Sequence, residues 1–220
     1  GYDSRLIAVK LKEHGFKNVV CFTYGRSVAE TRISEKVAKA LGFEWHFVEY
    51  THELIEHFNR TEEFNRYCEY ASRGTSMFYL QEYPAIKHLL DKNIITHEYV
   101  AFPGHSGGLI RGTFLVKYYP EKIKKKEMPI LLLRQKFFHS QLKKYEKQQV
   151  LEALLHHIDE LYHNTELLPY SVLEDWELKE RTTKYIFNSS HVYTFFGIPV
   201  FFPLADHEML NFFRTLPFIE

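Results

Sequence analysis

An α/β fold, with a parallel sheet covered by helices and a helical part at the C-terminal end, is the architecture this sequence predicts. Three observations predict it. Apolar runs of strand length alternate with amphipathic helical segments through the first half. Glycines punctuate the joins between them. From residue 117 onward the strand runs stop and helical periodicity takes over. The expected division is therefore 1–116 for the α/β core and 117–220 for the helical part of the same domain.

The elements follow in order. Residues 4–14 set Leu6, Ile7, Val9 and Leu11 in a short helix that Gly15 stops. "NVVCFTY" (18–24) has the length and composition of a strand, bounded by Gly15 and Gly25. Ile33, Val37, Ala40 and Leu41 fall at i, i+4, i+7 and i+8, which predicts an amphipathic helix ended by Gly42. "FEWHFVEY" (43–50) alternates as a strand does. Residues 52–71 and 75–92 read as helices, the second bent or divided near Pro84. "HEYVAF" (97–102) reads as a strand leading into "PGHSGG". In the second half, Val150, Leu151, Leu154, Leu155, Ile158, Leu161 and Tyr162 predict one helix face, and further helices are expected at 171–196 and 206–215. A helix at the very start is half of a βα unit, so a strand ending in the loop that Gly1 closes is expected ahead of it.

Composition narrows the function classes. The 220 residues are 45% hydrophobic and 25% charged, as in an ordinary globular domain. Formal net charge is zero, so no global basic field argues for nucleic acid. Two cysteines, Cys21 and Cys68, make neither a disulfide framework nor a zinc cluster. Reduced thiols and no long apolar run lead to the expectation of a cytoplasmic protein without a membrane span. There is no Gly-Lys-Ser/Thr loop, and His52 and His57 are five apart, so "HELIEH" is no zinc-protease motif. "KIKKKE" (122–127) reads most simply as a solvated loop.

Three segments have the chemistry of a site. "GYDS" (1–4) opens a helix, and a helix's first turn presents free N–H groups and partial positive charge to an anion. Asp3 and Ser4 serve equally well as ordinary helix-start residues. "FPGHSGG" (102–108) follows a strand, at the end of a parallel sheet where ligands bind, or it is a plain strand-to-helix turn. "PLADHEMLNFFRTLP" (203–217) begins a helix with Asp206 as its N-cap, which capping alone explains.

Taken in this order, the segments resemble the synthetase domain of the asparagine synthase family, within the ATP pyrophosphatases that use a Ser-Gly-Gly-x-Asp-Ser loop. "GYDS" is similar to the end of that loop. "CFTYG" (21–25) is similar to the family's second strand, and "SRGTSMFYL" (72–80) to its Arg-x-x-x-x-Met-Tyr-Leu region. "PGHSGGLIRG" (103–112) falls where the family has its pyrophosphate loop. "PLADHE" is similar to Pro-Phe-Leu-Asp-His-Glu. The resemblance implies a parallel α/β sandwich of the adenine-nucleotide-hydrolase (HUP, Rossmann-like) type with a C-terminal helical subdomain. It implies ATP and Mg2+ as cofactors, a small-molecule carboxylate as substrate, and ammonia from a glutaminase domain or partner. By that resemblance Gly1 and Ser4 hold pyrophosphate, Asp3 holds Mg2+ and Tyr24 flanks adenine. Gly104, His105, Ser106 and Gly107 close over the phosphates, with Asp206 and Lys184 nearby.

The chain departs from the family pattern at three positions. His105 stands where asparagine synthases have Glu, Gly108 where they have Asp, and His191 where Arg is common. These departures leave two expectations side by side. One is an amide-forming synthetase, including relatives that act on other carboxylates in surface-glycan or secondary-metabolite chemistry. The other is a degenerate module that keeps nucleotide affinity without adenylation. RNA thiolation is disfavoured by the neutral charge and the absence of paired cysteines. The carboxylate and the oligomeric state stay open at this point, with a homodimer among the options. The 220 residues alone are expected to bind ATP poorly.

Overall fold

The computed structural model describes residues 2–26, 29–72, 79–110, 124–137, 140–163, 169–188 and 190–216. It resolves into two compact units, one of residues 1–110 with 182–220 and the other of residues 111–181.

The first unit opens with α1 (Tyr2–Glu13), β1 (Val20–Gly25), α2 (Ala29–Leu41) and β2 (Glu44–Glu49). Both helices end as their glycines require. Gly15 and Gly42 sit at φ +80° and +70°, where a side chain would be strained. Phe16 and Phe43 then donate back to the carbonyls of Leu11 and Ala38, closing the last turn. β1 and β2 are parallel, in register from Val20 opposite Glu44 to Gly25 opposite Glu49. Parallel pairing needs a crossover, and α2 supplies it.

Side-chain alternation along β1 sorts the helices onto two faces. Val20, Phe22 and Tyr24 pack into the main core. That core comes from α3 (His52–Asn59), α4 (Glu62–Ser72), α5 (Tyr83–Asp91) and α10 (His191–Phe195), with Tyr67, Tyr83, Ile86, Leu89 and Val192 fully buried. Thr23 points the other way, and its hydroxyl meets that of Ser34 on α2 at 2.7 Å. This contact explains a departure from the expected helix face. Thr31 and Ala38 are buried, whereas Ile33 is 48% exposed, because α2 lays a small, partly polar stripe on the sheet.

Other boundaries also move. The expected helix over 52–71 breaks at Thr61, whose hydroxyl accepts from the Phe64 amide and starts α4 anew. Pro84 stands at the start of α5, where its missing N–H costs nothing. The strand expected at 97–102 contributes a single parallel bridge, Ala101 to Val200. The described residues therefore form a mixed, mostly helical α/β fold with a two-stranded parallel sheet. α6 (Gly107–Ile110) follows the glycine loop. After a short turn of 3-10 helix at Pro203–Ala205, α11 (His207–Arg214) closes the described part of the unit.

The second unit is helical. α7 (Met128–Lys136), α8 (Lys144–His163) and α9 (Pro169–Trp176) surround an aliphatic core of Met128, Leu132, Leu154, Ile158 and Val172, with Trp176. Leu154 and Ile158 of the expected α8 face are buried, while Leu155 is exposed. The side chains of Leu161 and Tyr162 lie outside the described residues. A π-helix, Glu177–Phe187, follows α9 and leads back into the first unit. Among the described residues no helix is long and apolar enough to cross a membrane.

Candidate functional site

The first unit contains a cleft of about 730 Å3. Its two long walls are β1 and residues 98–102, and α1 covers it with Ser4, Ile7, Ala8 and Leu11. Gly104 and His105 stand at one end, with Tyr24 and Glu82 also reaching it. A cleft of this volume, apolar with a few polar groups, has the proportions of a small-molecule site.

At the Gly104 end the two glycine-bearing segments touch. A Cβ placed on Gly104 would lie 2.9 Å from the Ser4 amide nitrogen. A Cβ placed on Gly107 would lie 2.6 Å from Oδ1 of Asp3. Neither glycine has a left-handed backbone, so here glycine is needed for room and not for φ. The expected meeting of "GYDS" with "PGHSGG" is thus present for Asp3, Ser4, Gly104 and Gly107. Gly1 lies outside the described residues.

The loop between those glycines is strained and under-bonded. Ser106 has φ +75°, a left-handed conformation that costs a non-glycine residue about 1 kcal/mol or more. Its hydroxyl is buried without a partner, and so is Nδ1 of His105. Burial holds the His105 imidazole below its ordinary pKa, so it is neutral near pH 7 and offers one N–H and one lone pair. Buried polar atoms of this kind are rare in folded proteins and mark places where a ligand or water completes the bonding.

Glu82 was not among the residues singled out from the sequence. It precedes α5, its Oε2 is enclosed without a partner, and it lines the cleft. The Tyr24 hydroxyl donates to Oε1 at a long 3.5 Å, and Tyr193 donates as well. Desolvation raises the Glu82 pKa from 4.5 to about 7, and the two hydroxyls oppose that only in part. Tyr24 in turn is pushed up, first by its own burial and then by Glu82. Its ring stacks on Tyr50 at 5.3 Å between centroids. The one sequence signal for Glu82 was an acidic residue inside the aromatic run "FYLQEYPAI".

The remaining candidates lie apart from the cleft. Asp206 is exposed and caps α11, accepting from the amides of Glu208 at 3.0 Å and Met209 at 3.2 Å. The Pro203–Ala205 turn that precedes it packs on α6, which brings Asp206 toward the glycine loop without entering it. Lys184 is exposed on the π-helix and does not line the cleft. His191 packs edge-on against Tyr70.

For a divalent cation, Asp3 is the carboxylate at the glycine contact. No cluster of three or more His, Cys, Asp or Glu side chains that could hold a metal occurs among the described residues. One carboxylate fits Mg2+ only when phosphate oxygens and waters complete the shell, a common arrangement for that ion. Asp3 also decides what the first turn of α1 accepts. A carboxylate already lies in that turn, so a bare anion is repelled and a metal-bound one is not.

No family model, curated protein or solved structure matches this chain.

Proposed function

We propose that this chain is the nucleotide-handling part of an ATP-dependent amide-forming synthetase, of the adenine-nucleotide-hydrolase type of fold. The observation that supports this reading is the contact of Gly104 and Gly107 with Ser4 and Asp3. Two segments rich in backbone N–H groups converge there, at the first turn of a 12-residue helix.

In the proposed reaction a substrate carboxylate oxygen bonds to the α-phosphorus of ATP, and the bond from that phosphorus to the bridging oxygen breaks. Pyrophosphate leaves with the electron pair. Ammonia then bonds to the acyl carbon, the C–O bond to AMP breaks, and the nitrogen loses a proton. The amides of the first α1 turn and the Ser4 hydroxyl bind the leaving pyrophosphate. Asp3 would hold Mg2+, which would supply positive charge to neutralise it. The neutral His105 donates its N–H to a phosphate oxygen, and Ser106 supplies a hydroxyl. Tyr24 borders the base. Such catalysis is positioning and charge stabilisation more than covalent chemistry by the protein.

A second reading keeps the nucleotide and drops the chemistry. Two observations favour it: no group of three or more metal-binding side chains occurs among the described residues, and His105 is neutral where a charged group would do more. One experiment separates them. Pyrophosphate release is followed with ATP, Mg2+, ammonium and a panel of small carboxylates, alongside calorimetric ATP binding. Carboxylate-dependent release supports the synthetase. ATP binding without release leaves the module, and neither result removes both readings.

A further inference from the structure

We propose that the cleft of the first unit binds an organic amine, whose ammonium group is held by the Glu82 carboxylate and whose apolar body lies along the cleft wall. Three observations lead there. First, Glu82 has bonding capacity to spare. It lines the cleft, and its Oε1 accepts from the Tyr24 hydroxyl, with Tyr193 donating as well. Oε2 has no partner. The Tyr24 bond is 3.5 Å long, at the outer limit of hydrogen bonding, so it holds the carboxyl loosely. The last torsion of a glutamate is broad, so the group turns at little cost and can present an oxygen to the cleft.

Second, the surroundings supply no positive charge. The ionisable groups that face Glu82 are Tyr24 from β1, Tyr50 just beyond β2, Tyr67 from α4 and Tyr193 from α10. All four are phenols that burial pushes up, so each is uncharged near neutral pH. Among the described residues no Lys or Arg lines the cleft, His105 is held neutral by burial, and Glu98 adds a second carboxylate. The buried glutamate of the second unit, Glu177, comes with Lys136 and Arg181 beside it. A cleft with an enclosed carboxylate and no cation complements a cationic ligand. A neutral donor would leave the charge uncompensated; an ammonium group does not.

Third, the site suits an organic cation and not a metal ion. Mg2+ and Ca2+ take six or more oxygen ligands. No group of three or more metal-binding side chains occurs among the described residues. The cleft presents Ile7, Leu11, Phe22 and Tyr24 instead. The rings of Phe22 and Tyr24 stack at 6.4 Å between centroids, and Tyr24 stacks in turn on Tyr50. An apolar body gains from leaving water there, and ring faces attract a cation. The fold has already removed water from the carboxylate, so only the ammonium group is desolvated on binding. Tyr24 is the fifth of the six residues of β1, so the carboxyl it touches lies toward that strand's carboxyl end, where parallel α/β folds bind ligands. Amine binding at Glu82 needs no nucleotide at the glycine contact, so either can hold without the other.

The test titrates the 220-residue chain with 2-phenylethylamine, tryptamine and cyclohexylamine, each against the alcohol of the same skeleton. Calorimetry is run between about pH 5 and about pH 8, in two buffers of different ionisation enthalpy. At the upper end at least one amine is expected to bind roughly tenfold or more tightly than its alcohol. Below about pH 7 the free protein holds a proton on Glu82, and binding an ammonium group must expel it. About one proton is then released per amine bound, and affinity falls by up to about tenfold per pH unit. The alcohols should show neither effect. Glu82→Gln should abolish the advantage of the amine and flatten its pH profile while alcohol binding is retained. Should that variant misfold, proton release from the unaltered chain decides alone. Binding of no amine in the series, equal affinity for amine and alcohol, or amine binding without proton release below pH 7 overturns the proposal.

Discussion

Two glutamates, Glu177 fully buried in one unit and Glu82 half-buried with an enclosed oxygen in the other, set the two halves of this molecule against each other. Glu177 in the second unit is 1% exposed, yet it lies between the Lys136 ammonium and the Arg181 guanidinium, the latter at 2.8 Å. Among the described residues, Glu82 in the first unit has hydroxyl donors and no cation, and one of its oxygens has no partner. Two cations compensate the buried Glu177 carboxylate, which thereby ties α7 to the π-helix. An uncompensated carboxylate in a cleft tends toward its neutral form and stays available to a ligand. Burial alone therefore does not mark a site; burial without a partner does.

The largest effect is expected at the compensated residue. Glu177→Ala leaves Lys136 and Arg181 facing each other without their acid and should cost about 3–5 kcal/mol, read from urea unfolding. A loss under 1 kcal/mol would break the comparison, since Glu177 would then contribute no more than a surface pair.

Glu82 should show its character through pH. Its folded pKa lies above the unfolded value, so between pH 4.5 and about 7 the folded state holds more protons. Stability then falls as pH rises through that window. The rise from 4.5 to about 7 corresponds to on the order of 3 kcal/mol between the two ends of that window. Glu82→Gln should remove most of this slope. A slope unchanged in the variant would show that the carboxyl is solvated.

The glycine contact sharpens the comparison at the cleft end. Gly104→Ala drives a methyl into the Ser4 backbone and should cost about 1–3 kcal/mol. It should also weaken any nucleotide binding at least tenfold, by calorimetry. Gly107→Ala meets a side chain instead, which can swing aside, so its stability cost should be smaller. Smallest is Asp206→Ala, expected to lose about 1 kcal/mol of α11 stability by thermal unfolding. If it leaves ATP binding and pyrophosphate release unchanged, Asp206 is a cap and nothing more.

Local rules were legible in the residues. Gly15 and Gly42 end their helices where expected, and the runs at 18–24 and 43–50 become β1 and β2. The cap at Asp206 was legible too, because capping needs only neighbours along the chain. The break at Thr61 was missed because the same threonine fits inside a helix pattern or at its start. The face of α2 was misjudged because periodicity names the apolar stripe, while the partner surface around Thr23 is polar.

By itself, then, the sequence determined the helix stops at Gly15 and Gly42, the parallel pair and the two glycine-bearing segments, all effects of a few adjacent residues. Only the tertiary structure decided that Ser4 and Asp3 abut Gly104 and Gly107, some hundred positions away. It alone enclosed Glu82 among Tyr24 and Tyr193, beside the cleft under α1. Those outcomes depend on which surfaces exclude water together, and no local pattern encodes that.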